Sequence, residues 1–160
     1  MRLFYRGELA LSARYRGRML GGSRDGVLAG VIGTFDSDQY PPPARSEAYS
    51  VPAFLLAGPA PSVRGLRLNA IFLKAHPHEP HVYVEHLAVD PAAQRSGVGR
   101  ALLSNVIEEA AARDLPVYLE TTKPANVPYY ASFGFQVTGE AELPRGARVW
   151  FMWRALDGAG

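Results

Sequence analysis

The stretch Leu87-Ala88-Val89-Asp90-Pro91-Ala92-Ala93-Gln94-Arg95-Ser96-Gly97-Val98-Gly99-Arg100 decides how this 160-residue chain is read. An apolar strand ends at Val89, Asp90-Pro91 turns the chain, and a glycine-bearing loop opens a helix over Gly97–Arg113. Val98, Ala101, Leu102, Val106 and Ala110 recur in that helix at one face. The first amides of a helix have no intrahelical partner, and the macrodipole leaves partial positive charge there. Gly97 and Gly99 let an anionic oxygen approach the backbone without meeting a Cβ, and Arg95 and Arg100 add charge-assisted bonds. The loop is a diphosphate cradle on these grounds, although a lone Gly-x-Gly also serves merely to turn a corner. A nucleotide P-loop is excluded by the absence of Gly-Lys-Ser/Thr. A dinucleotide fingerprint fits poorly, because its third glycine would fall at Leu102.

Outward from this stretch, Val82–Val89 is apolar on both faces, as in a central strand. Leu115–Thr121 predicts another strand and Asn126–Phe133 a short helix. Phe135–Ala141 and Ala147–Ala155 predict a closing hairpin through Pro144-Arg145-Gly146. Toward the N-terminus, Arg18–Ser23 and Val27–Phe35 flank the turn Arg24-Asp25-Gly26. The first fifteen residues place Leu3, Phe4, Ala10 and Leu11 near one helical face. Asp36–Arg45, with Pro41-Pro42-Pro43, is a stiff loop. Helical patterns near Glu47–Leu56 and Val63–Lys74 are split by Gly58-Pro59-Ala60-Pro61, and the Pro-rich run from His76 to His81 is a linker. Strand, helix, strand, helix and hairpin make an α/β or α+β sheet domain, and the length fits one domain over 1–160.

Composition narrows the function. Hydrophobic residues at 48% and charged residues at 20% are ordinary globular values and argue against disorder. A net charge of +2 is too small for a nucleic-acid binder that works by neutralising phosphates. With no cysteine, disulfides, thiolate metal sites and Cys nucleophiles are all excluded. The start Met1-Arg2-Leu3-Phe4-Tyr5-Arg6 lacks an apolar signal region. The longest apolar stretch, around Val51–Ala57, is short of the ~18 residues of a membrane span. The expectation is a cytoplasmic protein without membrane partners.

The run Leu87–Pro91 followed by Gln94–Arg100 resembles the acetyl-CoA signature of the GNAT N-acetyltransferase family. A second signature of that family resembles Leu119-Glu120-Thr121, Asn126 and Tyr130-Ala131-Ser132-Phe133-Gly134-Phe135. Pro124–Pro128, Phe135–Thr138, Glu142–Gly146 and Trp150–Met152 are similar to the puromycin N-acetyltransferase-like branch. The likeness covers roughly Glu79 to Arg154. It implies a mixed, mostly antiparallel central sheet flanked by helices, with an acetyl-CoA-binding core over about 79–154. Family members begin with a strand and two helices, whereas this chain supplies one helix. The expectation is a fold without its first strand and one helix, leaving Arg18–Ser23 as an open edge. That edge would be covered by an upstream start, another segment, or a second copy in a homodimer.

The resemblance also implies site residues. Arg95, Ser96, Gly97, Val98, Gly99 and Arg100 would hold the CoA pyrophosphate. The pantetheine arm would lie along Leu87, Ala88 and Val89 like an added strand, and a backbone amide there would face the thioester carbonyl. Asn126 would bond the CoA arm, or cap the short helix, or both. Tyr130, four residues before Gly134, would protonate the departing thiolate, since its ordinary pKa of ~10 lies close to that of an alkyl thiol. Tyr129 is assigned to packing.

Glu85 is the candidate base. A strict strand period places it with Tyr83, Leu87 and Val89, where apolar neighbours would raise its pKa. Pairing with an Arg in the sheet is an equal alternative, and His86, on the opposite face, is the weaker base. Glu120 is expected to be a structural carboxylate. His76, His78 and His81 invite a metal, but the intervening prolines forbid a helical pair and only Glu79 joins them, so none is assigned.

The function expected is acetyl transfer from acetyl-CoA to the primary amine of a small molecule, by direct transfer in a ternary complex. Tyr40, Pro41–Pro43 and Phe54 are named for the acceptor side. The alternatives are a non-catalytic CoA-binding module, a peptide or protein N-acetyltransferase, and a basic interaction protein using the Arg-rich N-terminal segment.

Overall fold

The computed structural model describes residues 2–6, 17–40, 59–144 and 146–156. Seven strands form one sheet: β1 (Arg2–Arg6), β2 (Arg18–Arg24), β3 (Val27–Asp36), β4 (Val82–Val89), β5 (Val117–Thr121), β6 (Gln136–Glu142) and β7 (Arg148–Arg154). Their order is β1-β2-β3-β4-β5-β7-β6. β4 and β5 run parallel, and the other pairings are antiparallel. Among the described residues three helices accompany them: α1 (Pro59–Ala75), α2 (Val98–Ala111) and α3 (Asn126–Ala131). This is the mixed, mostly antiparallel sheet flanked by helices that the sequence predicts, with β4 central.

The N-terminus departs from expectation. Arg2–Arg6 is a strand rather than the start of a helix, and it pairs with β2 through Leu3↔Gly22 and Phe4↔Gly21. The first strand is therefore present, and β2 is not an open edge. A short apolar helical pattern is marginal by itself, whereas adding residues to an existing ladder satisfies main-chain groups at once. The remainder of that expected helix lies outside the described residues, as does the pattern at Glu47–Leu56. α1 begins inside the predicted break, with Pro59 as its first residue, where a missing N–H costs no helical bond.

The two faces of the sheet carry separate cores. On one, Val98, Leu102, Leu103, Val106 and Ala110 of α2 and Tyr130 of α3 pack with Ile32, Val82, Val84, Val117, Leu119 and Met152. α2 comes very close there: a Cβ on Gly30 would stand 2.9 Å from both the Ala88 carbonyl oxygen and Val98 Cγ1. On the other face, Ile71, Phe72 and Ala75 of α1 pack with Tyr83, Tyr118, Val149 and Phe151. His76 and His81, expected in a linker, are both buried beneath the end of α1.

Candidate active site

β4 and β5 part company in mid-sheet. Their pairing ends at Val84↔Leu119, although β4 continues to Val89 and β5 to Thr121. No described strand pairs with the β5 side of residues 85–89, so the strands open into a wedge lined by main-chain groups of β4.

The N-terminus of α2 lies at the mouth of this wedge. Asp90 accepts the Ala92 amide at 2.7 Å and starts a short 3-10 turn over Pro91–Ala93. Arg95 at φ 62° and Gly97 at φ 89° then swing the chain into the helix. A Cβ on Gly97 would meet nothing within 4 Å, so open space adjoins the chain there, and one on Gly99 would lie 3.2 Å from Val89 Cγ2. Val98, by contrast, is fully buried. The Ser96 hydroxyl donates to the Ala93 carbonyl at 2.5 Å, and the Arg100 guanidinium lies 4.7 Å over the Phe133 ring.

Asn126 is not a cap. Ala125 holds the N-cap position of α3, and the Asn126 side-chain Nδ2 donates to the Thr121 hydroxyl at 3.2 Å, tying α3 to the end of β5. Tyr130 is buried, its ring 5.3 Å from that of Tyr129 and 6.0 Å from that of Phe135. Burial pushes its phenol above the ordinary value, with Tyr129 adding to the effect. Tyr129 packs as expected but also reaches the cradle, its hydroxyl 3.4 Å from the place of a Gly99 Cβ.

The expected surroundings of Glu85 are overturned. The β3–β4 register passes from Gly33↔His86 to Thr34↔Val84, leaving Glu85 as the extra residue of a β-bulge. The bulge breaks the period of two. Val82, Val84, Leu87 and Val89 share the α2 face, whereas Tyr83 belongs to the other. Glu85 is therefore not among Leu87 and Val89. Its carboxylate lies 3.1 Å from His86 Nε2, on the same side as that ring and not opposite it, and is partly exposed.

Glu120 is the more buried of the two carboxylates beside the wedge. It follows Leu119 as Glu85 follows Val84, at the point where the strands separate. The Tyr83 hydroxyl donates to Glu120 Oε2 at 2.8 Å. Burial pushes the Glu120 carboxyl up and the Glu85 charge adds to this, while the hydroxyls of Tyr83 and Tyr118 hold it down. Tyr118 Oη and Glu120 Oε1 form no hydrogen bond of good geometry despite that proximity. A legible signal existed: Tyr83-Val84-Glu85 and Tyr118-Leu119-Glu120 repeat one Tyr-aliphatic-Glu pattern on two strands in register.

His76 stands behind these tyrosines. Its ring is edge-on to Tyr83 at 5.2 Å and to Tyr118 at 5.1 Å, with Tyr40 at 4.4 Å and His81 at 4.9 Å. Burial lowers its pKa to about 4, with His81 and His78 adding. Tyr40 thus belongs to this aromatic pocket, while Pro41–Pro43 and Phe54 lie outside the described residues. Among the described residues no three His, Cys, Asp or Glu side chains gather as a metal site. An open groove of about 470 Å³ continues on this face, lined by Ile71, Lys74, Ala75, Glu140, Ala141 and Phe151 among others. Phe151 is the β7 partner of Glu120.

Comparison with known proteins agrees with this fold. Residues 3–135 match the model of the acetyltransferase (GNAT) family. A solved Corynebacterium glutamicum protein, titled histone acetyltransferase HPA2 and related acetyltransferase, is similar at 24% identity. The alignment covers 94% of this chain and 71% of that one, with a TM-score of 0.64. The ribosomal-protein-S18-alanine N-acetyltransferase of Escherichia coli is similar at 21% identity, over 92% of this chain and 72% of its own, with a TM-score of 0.54. Nourseothricin acetyltransferase is similar at 20% identity, over 88% and 66%, with a TM-score of 0.54. At these identities the solved structures support the fold alone.

Proposed function

Because this chain belongs to the GNAT acetyltransferase family, we propose that it transfers the acetyl group of acetyl-CoA directly to the primary amine of a small molecule. Within the family we assign it to the puromycin N-acetyltransferase-like branch, on the segments Pro124–Pro128 and Glu142–Gly146. The observation that carries the reading is the wedge: β4 loses its β5 partner after Val84, beside a helix N-terminus whose Gly97 faces open space. A pantetheine arm carries amide groups that pair with such an edge, and a pyrophosphate suits exposed helix amides flanked by Arg95 and Arg100. Leu87, Ala88 and Val89 take the arm, residues 95–100 take the pyrophosphate, and Asn126 closes the far side from α3. A main-chain amide of the free edge faces the developing oxyanion.

Acetyl transfer to an ammonium releases one net proton and delivers one to sulfur. Tyr130 supplies the sulfur proton, since burial keeps its phenol protonated at neutral pH. Its phenolate is reprotonated by the second proton that the acceptor nitrogen loses as the tetrahedral intermediate collapses. Glu120, rather than Glu85, takes the proton from the ammonium. Its raised pKa brings it toward the working pH of a base, and Oε1 keeps accepting capacity beyond the neighbouring Tyr118 hydroxyl. Glu85 stays beside it as a partly exposed charge that favours an approaching ammonium. The groove beside Phe151 holds the body of the acceptor.

CoA thiol release over a panel of puromycin, polyamines, amino-acid amides and short peptides tests this reading, with no protein thiol to interfere. Turnover of a small amine is expected, and Tyr130→Phe should lower kcat ~10²-fold with CoA affinity unchanged. Turnover confined to peptides would move the substrate class. A fully active Tyr130→Phe would remove the acid assignment.

A further inference from the structure

The aromatic pocket under α1 holds polar atoms that its own side chains leave unanswered. Six buried side-chain polar atoms lack a hydrogen-bond partner among the described residues, and five of them gather here: both ring nitrogens of His76, His81 Nε2, Tyr118 Oη and Glu120 Oε1. Buried polar groups are almost always paired, with protein or with ordered water. Tyr118 Oη and Glu120 Oε1 lie close enough to answer each other, but the three imidazole nitrogens, left dry, would cost a large share of a domain's stability. The rings that carry these atoms are mutual neighbours, with His76 between Tyr118 on one side and Tyr40 and His81 on the others. The His81 ring has its own anchor, its Nδ1 lying 2.7 Å from the Glu79 carbonyl.

We propose that this pocket is a water-filled proton path from Glu120 to His76 that discharges the proton taken from the acceptor amine. The inference rests on Glu120 as the base. After the ammonium gives its proton to Glu120, the carboxylic proton passes from Oε1 through ordered water to one ring nitrogen of His76. The other ring nitrogen releases a proton toward exposed His78 and solvent. One proton enters the ring and one leaves, so the ring stays neutral overall, the tautomer is exchanged, and Glu120 returns to a carboxylate. Exchange with water restores the first tautomer.

The groups facing the path are Tyr40 after β3, His78 and His81 before β4, Tyr83 and Glu85 on β4, and Tyr118 and Glu120 on β5. Burial favours the neutral imidazole that such a path needs at working pH. His76 touches neither donor nor acceptor in this account, and its role is relay and not chemistry on the substrate.

His76→Phe keeps the ring and removes both nitrogens. His76→Gln serves as the second variant, keeping donor and acceptor but not the exchange. Steady-state kinetics would use acetyl-CoA and the panel amine turned over fastest, in wild type, His76→Phe, Glu120→Gln and the double variant. We expect each His76 variant to lower kcat about tenfold at unchanged KM, and to add no further loss to Glu120→Gln. An equal loss in the Glu120→Gln background would make the ring structural and overturn the path, as would a folded His76 variant with unchanged kcat. Full activity in Glu120→Gln would instead overturn the base assignment, and the path with it. Imidazole 15N shifts supply a readout without turnover. The His76 signals should move in Glu120→Gln if water joins the two, and unmoved signals would overturn the link even where kinetics agree.

Discussion

His76 shows how one buried side chain couples the site to pH. In the unfolded chain its imidazole titrates near 6.5, and in the folded protein burial lowers that to about 4. Between those values the unfolded state binds more protons than the native one. Stability therefore rises with pH across this window and is lost on acidification from about 6.5 to about 4. A shift of this size corresponds to on the order of 3 kcal/mol. His81 is also lowered by burial and works in the same direction. Glu120 opposes them: its raised folded pKa favours the protonated native form, so its contribution is present at low pH and is lost as pH rises through that pKa. The expected net result is a Tm that falls between pH 6.5 and pH 4 in wild type and falls less in His76→Phe. Parallel Tm profiles would show that the ring is not held neutral by the fold. The sequence placed His76 in a linker because flanking prolines mask burial. The contact that buries it comes from Tyr83 and Tyr118, which are distant in sequence from each other and close only across β4 and β5.

Elements with a strong period were legible and their interruptions were not. Val82–Val89 and the helix opening at Gly97 appear as read, because apolar spacing and glycine chemistry are local properties. The bulge at Glu85 has no local signature, and it reversed the face assigned to Leu87 and Val89 relative to Tyr83. β1 was misread for a related reason: five residues carry too little pattern to separate a strand from a helical turn, and the deciding partner is β2. The close seating of α2 makes a test at this scale. A Cβ on Gly30 would stand 2.9 Å from the Ala88 oxygen, a backbone atom that cannot swing aside, and 2.9 Å from Val98 Cγ1. Gly30→Ala should therefore push α2 off β3 and β4, at a cost of ~1–3 kcal/mol. Gly33→Ala is the control, since its Cβ would meet nothing nearer than 3.7 Å. Denaturant unfolding should show a lower midpoint for Gly30→Ala alone. Because Val98 begins α2 beside the cradle, the same variant should also weaken acetyl-CoA binding, which a substitution acting only on stability would not do.

At the scale of the molecule, the sheet divides the labour between its faces. One face seats α2, whose N-terminus is proposed to cradle the donor, the other seats α1, Glu120 and the groove proposed for the acceptor, and the wedge opens where β4 and β5 separate. That division was legible only in part, since α1 comes from a Pro-rich connection whose sequence does not announce which face it covers. A donor bound across the wedge bridges β4, α2 and α3, and it binds the native state alone. Linkage then predicts the size of the effect. Acetyl-CoA at 100 times its Kd should stabilise the protein by ~2.7 kcal/mol, and for a chain of this length each kcal/mol raises Tm by about 2–4 °C. A rise of about 5–10 °C is expected in a thermal-shift measurement. Gly97→Val separates this from unspecific binding to a weakly basic surface. At φ 89° a side chain is strained by ~1–2 kcal/mol, so the unliganded Tm should fall a little, and valine would fill the open space before the helix amides. The ligand-induced rise should then largely disappear. An undiminished rise in Gly97→Val would place the donor away from α2, and the roles given to Arg95–Arg100 and to the β4 edge would fall together.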